Sequence, residues 1–198
     1  GDVTITALNG ITTAGNVDTS SSNSNVTFAS ATTLDGAIAI TTGAGAGGNI
    51  AFNSTLDDDA VADRDLTLTA GTGNITFTGA VGNAGAGSEL GAMLVNSAAN
   101  VTAASTVEAT SFVQTAGTGT TQFAAAVTTT GAAGVNVVTD AIDVDGTITT
   151  TGTGVVTLTA DGLGAGLGTV DIEAGADITS DGDVTITALN GITTAGNV

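Results

Sequence analysis

The chain has 198 residues, of which 19 are acidic against a single arginine, for a net charge of −18. Lacking cysteine and histidine, it can form no disulfide, thiolate metal site, cysteine nucleophile or Ser-His-Asp triad, and without a basic patch it has nothing to meet nucleic-acid phosphates. Hydrophobic residues reach 41% and charged ones only 10%, the reverse of a disordered acidic tail.

The chain begins with GDVTITALNGITTAGNV, and residues 182–198 repeat those seventeen letters without substitution. Such identity predicts a tandem array: residues 1–181 as one unit and 182–198 as the start of the next identical unit, with no separate domain between them. Strand-like pieces rich in Val, Ile and Thr then recur. They begin at Asp2 (DVTITA), Ala37 (AIAITT), Asp65 (DLTLTA), Gly91 (GAMLVN), Ser111 (SFVQTA), Val135 (VNVVTD) and Val155 (VVTLTA). A Gly- or Ala-rich turn follows each, and then a second piece: NVTF, NIAF, NITF, NVTA, TTQF, AIDV or TVDI. The period divides into about seven coils: 2–36, 37–64, 65–90, 91–111, 112–134, 135–154 and 155–182.

Two apolar columns run through the second pieces. Val26, Ile50, Ile75, Val101, Thr121, Ile142 and Val170 hold one position. Two residues on stand Phe28, Phe52, Phe77, Ala103, Phe123, Val144 and Ile172, on the same face of each strand. A third column takes Leu56, Val81, Val107, Val127 and Ile148, joined by Leu34 and Ile178 if their coils carry two extra residues. The expected fold is all-β, a parallel β-helix or β-solenoid around one core three columns wide.

The recurring xVTLTA–turn–xITFTGAV units, clearest at residues 65–81, resemble the β-strand repeats of giant bacterial surface proteins, the filamentous-haemagglutinin and autotransporter-passenger kind. The resemblance implies a right-handed solenoid, an extracellular or cell-surface location, and adhesive or scaffolding work. It carries over no functional residues.

Candidate sites each have a plainer reading. Gly43–Gly48, GAGAGG, fits G-x-G-x-x-G, but a strand follows it where a dinucleotide site needs a helix, so it reads as a turn. Asn25, Asn49, Asn74 and Asn100 precede the second piece in four successive coils. They predict a corner ladder of stacked amides in left-handed geometry; Asn25, Asn53, Asn74 and Asn100 also lie in glycosylation sequons. Carboxylates gather at Asp57, Asp58, Asp59 and Asp63, and at Asp140, Asp143 and Asp145. Oxygen-rich loops of this kind suit weak Ca²⁺ binding, although neither matches a calcium-loop motif and solvated acidic turns explain them as well. A glycosidase pair would need a raised acid in an aromatic-lined cleft, and the chain has no Trp or Tyr. T-x-T pairs at Thr4/Thr6, Thr67/Thr69 and Thr157/Thr159 fall short of an ice-binding array, because Ala39/Thr41, Met93/Val95, Val113/Thr115 and Asn136/Val138 interrupt them.

The expected function is a structural repeat of a long extracellular fibre, sheath or adhesin stalk, without catalysis, catalytic residues or a resident cofactor. Its partners would be neighbouring identical repeats in the same chain and laterally associated fibres, with no nucleic acid and no membrane span. A carbohydrate- or surface-binding adhesin module, or a separate subunit polymerising head to tail, is the alternative.

Overall fold

A computed structural model of the protein describes residues 1–43, 45, 47–59, 62–83, 85, 87–163 and 168–198. Among them there is no helix, and every strand pairing is parallel, in a β-solenoid of about eight turns. Three faces wind around one core. The second pieces form a nine-stranded sheet in register from Val3–Ile5 through Val26–Phe28 and onward to Gly191–Thr194. The other two faces are joined by two eight-residue strands, Leu90–Ser97 and Val107–Gln114, which turn the corner without a break.

The columns read from the sequence are the observed ladders. Val26, Ile50, Ile75, Val101, Thr121, Ile142 and Val170 pair coil to coil, as do the residues two further on. All fourteen of these residues are buried, because alternate residues of a strand point the same way. Coil length varies from 20 residues (Val101 to Thr121) to 28 (Ile142 to Val170). The turns absorb the difference, as expected where each rung contacts only its neighbours.

Of the four phenylalanines in the second column, three form one stack of rings. Phe28, Phe52 and Phe77 have centroids 4.9 and 5.5 Å apart and planes within 12° and 7° of each other. Ala103 then interrupts the stack, and Phe123 meets Phe112 edge-on at 5.2 Å and 83°. At the turn before the second face the coils approach so closely that side chains are excluded. A Cβ on Gly48 would collide with the Ser24 carbonyl, and one on Gly73 with that of Gly48.

Four details of the expected register are corrected. Residues 2–36 are not one coil, because Val3 and Ile5 lie beneath Val26 and Phe28 and so start the second-piece column. Val17 and Asp18 take the place expected of DVTITA, beside Ile40 and Thr41. In the third column Thr32, not Leu34, pairs with Leu56, since this coil keeps the six-residue spacing found from Ile50 to Leu56 and Ile75 to Val81. Thr32 tolerates burial because its hydroxyl donates to the Ser30 carbonyl at 3.0 Å, and Leu34 stays buried two residues along. The two extra residues do occur between Val170 and Ile178, which pairs with Ile148. Finally, Met93 and Val95 face the core and Leu94 faces outward, because Met93 pairs with Leu66.

Candidate functional site

Strand alternation separates the acids of the 57–63 run. Asp57 faces outward and accepts the Asn83 N–H at 3.1 Å; Asn83 Nδ2 donates in turn to Glu108 Oε1 at 3.0 Å. Asp58 points inward with a side chain wholly removed from solvent. It accepts the backbone N–H groups of Asp59 (2.6 Å) and Arg64 (2.8 Å), and Arg64 Nε lies 3.7 Å away. Burial pushes the Asp58 carboxyl above its usual range, and these N–H donors only partly offset that. Asp59 pairs with Arg64 Nη2 at 3.0 Å. Asp63 is exposed, with Thr110 Oγ1 3.5 Å from it. One arginine therefore closes this turn against two of the four acids.

The second group divides as well. Asp140 is fully buried at a corner, while Asp143 and Asp145 lie on the outer side of the second face. Gln122 Nε2 donates to both, at 3.1 and 2.9 Å. Directly across from Asp143 stands Asp171, which the sequence reading had not grouped with it. Burial, then the charges of Asp145, Asp171 and Glu173, hold the Asp143 carboxyl above its usual range. Among the described residues no three acidic side chains converge in a geometry that could hold a metal ion.

The asparagine column forms a ladder of a different kind from the one expected. Each Oδ1 accepts the main-chain N–H of the corresponding residue in the next coil. Asn25 serves Asn49 at 2.7 Å, Asn49 serves Asn74 at 2.8 Å, Asn74 serves Asn100 at 3.2 Å, and Asn100 serves Thr120 at 2.8 Å. Asp2 starts the series by accepting the Asn25 N–H at 2.9 Å. Only Asn100 adds an amide-to-amide bond, from Nδ2 to Asn74 Oδ1 at 2.9 Å. None of the four is left-handed; Asn23, at φ 49°, is the non-glycine residue with positive φ among those described.

A pattern emerges that the sequence had hidden. Where a cation would ordinarily balance a carboxylate, this surface places a side-chain amide: Asn25 on Asp2, Asn83 on Glu108, Gln122 on Asp143 and Asp145, Asn197 on Asp177. Spacing alone could not reveal it, since these partners lie 20 to 25 residues apart in sequence. Gln114 has a nearer partner, seven residues on, but across a turn that no strand spacing bridges. It is buried and accepts the Thr121 hydroxyl at 2.7 Å inside the solenoid.

In the G-x-G-x-x-G stretch, Ala44 and Ala46 lie outside the described residues, and Ile50–Phe52 beyond it is a strand. Among the described residues there is no pocket and no helix long and apolar enough to cross a membrane. By its geometry the protein is a parallel β-solenoid with an acidic, amide-lined exterior. Comparison with family models, curated proteins and solved structures returns no match.

Proposed function

We propose that this chain is a structural repeat of a long extracellular fibre, sheath or adhesin stalk, built in the manner of the giant bacterial surface proteins its repeats resemble. The supporting observation is a solenoid of continuous cross-section that carries the same seventeen residues twice, 181 positions apart. Nine strands on one face set a length of about 38 Å at about 4.8 Å per step. Main-chain ladders and buried columns supply rigidity along that axis, while the chain's net charge of −18, carried mostly on the outside, keeps neighbouring fibres apart at low salt.

The work assigned is mechanical, with no catalytic residue and no resident cofactor. The second reading, a surface- or carbohydrate-binding adhesin module, draws on the outward Thr4, Thr27, Thr76 and Thr102 along the second face. Ala51 interrupts that row and Gln122 ends it.

Two measurements test the proposal on protein from its natural source. A denaturing gel should show a polypeptide many times longer than 198 residues, and electron microscopy should show unbranched filaments. A short polypeptide that still forms filaments would transfer the reading to a subunit polymerising head to tail. A short polypeptide without filaments would refute both.

A further inference from the structure

The two identical segments occupy different seats. In the first copy, Val3–Ile5 lies on the second face against Val26–Phe28, Ile11–Thr13 on the third face, and Val17–Asp18 on the first. In the second copy, Val184–Ala188 lies on the first face against Val156–Ala160, and Gly191–Thr194 on the second against Thr169–Ile172. One sequence thus fits two positions in the winding. The second fit matches residue types more closely: Val, Thr, Thr and Ala each meet their own kind, and Ile186 meets Leu158, although Val184 and Ile192 stay exposed where Ile11 of the first copy is buried. It pairs nine residues, against eight for the first copy. Its leucine also finds a partner. Leu189 lies beside the turn at Gly162 and Gly168 and is 68% exposed, whereas Leu8 in the first copy is wholly exposed.

From this we infer that the seat formed by Val156–Ala160 and Thr169–Ile172 is also filled by residues 2–17 of a second copy of this chain, in place of its own 183–198. The seat has no means of telling the two apart, because their sequences are the same. Nor can a chain fill the seat with its own first segment, which lies most of the solenoid's length away, on the order of 30 Å. The exchange is close to balanced in contacts. A displaced 183–198 is identical to the segment that left Val26–Phe28, so it can occupy the place its partner vacated. What opposes the exchange is the entropy of association and the high effective concentration of the tethered segment, so it grows with protein concentration. The inference concerns the 198-residue chain as a separate molecule; in the longer polypeptide of the fibre proposal the next repeat of the same chain would fill the seat.

The chain has no cysteine, which permits a direct test. Thr157 faces Thr185, and Thr185 corresponds to Thr4 in the repeat. Neighbouring strands about 4.8 Å apart fall within disulfide reach, so the double variant Thr4→Cys/Thr157→Cys can close a bond only between copies. Mild oxidation of the 198-residue chain should yield covalent dimers and longer species, at least about tenfold above a Thr27→Cys/Thr157→Cys control. Excess synthetic GDVTITALNGITTAGNV should suppress them. Equal cross-linking in the control, or indifference to the peptide, overturns the inference. Cross-linking confined to Thr4→Cys/Thr193→Cys would mean plain end-to-end stacking and overturns it too. On the unmodified chain, the fluorescently labelled peptide should bind and a scrambled peptide should not; no binding by either contradicts the inference without recourse to a variant.

Discussion

The coils from Val26 to Phe123 and those from Ala141 to Ser180 share one strand geometry but are finished differently. The first group carries the stack of Phe28, Phe52 and Phe77 inside and the asparagine ladder at its corner. In the second, Val144 and Ile172 replace the rings, and the ladder has already ended at Thr120. Outside, Asp143 and Asp171 stand opposite each other where the earlier coils place Thr27, Ala51, Thr76 and Thr102. Paired strands are therefore the common requirement, and side-chain ladders are an added layer. The first group should be the more stable part of the solenoid.

The largest test of that difference is Phe52→Ala, which removes the middle ring of the stack. It should cost about 3–5 kcal/mol in chemical denaturation, and Val144→Ala distinctly less. Equal losses would show that the rings do not make the first group the more stable one. Next comes Arg64→Ala, which leaves the inward Asp58 carboxylate without its nearby cation and should lower the denaturation midpoint near pH 7. Asp58→Asn in the same background should recover part of that loss. Asn74→Ala removes one ladder acceptor and should cost about 0.5–1.5 kcal/mol. Asn136→Ala, outside the ladder, is the comparison; a matching loss there would mean that the ladder contributes nothing.

The smallest effect is the most particular, because two carboxylates at the start of the chain and Asp143 in the second group respond to acid in opposite directions, while Asp58 in the first group is raised as Asp143 is. Asn25 donates to Asp2 and Ser20 to Asp18, holding both below the usual range. Their contribution is present above the unfolded value of about 3.9 and is lost as pH falls through the lowered folded values. Asp143 is raised, so it favours the folded state fully below about 3.9, and that benefit is lost as pH rises through the raised folded value. Asp143→Asn should accordingly stabilise the chain at pH 7 by a few tenths of a kcal/mol, given solvent screening and one directly opposed like charge. The gain should shrink toward pH 4. A gain that persists unchanged in acid would rule out carboxylate repulsion as its cause.

How much of this was legible in the sequence depended on the kind of contact. Apolar residues at i and i+2 mark one side of a strand, so the columns through Val26 and Phe28 could be read directly. That spacing does not say which of three faces the strand joins. VTITA satisfies two of them, and only long-range pairing with Val26 or Val156 decides. Adjacency in sequence also misleads about acids: Asp57 and Asp58 are neighbours in the chain and lie on opposite sides of the backbone. Partners such as Gln122 for Asp145 belong to different coils, and no local pattern joins them.

Hydrogen exchange tests the central claim, one continuous solenoid held by coil-to-coil pairing, most directly. The amides of Val26, Ile50 and Ile75 donate to the next coil, as do those of Ile148, Val156 and Ile178. All six should exchange far more slowly than the turns, and the first three should be the slowest, opening only with global unfolding. Exchange of Ile50 and Ile75 as fast as the exposed turn at Ser20–Ser22 would contradict the account.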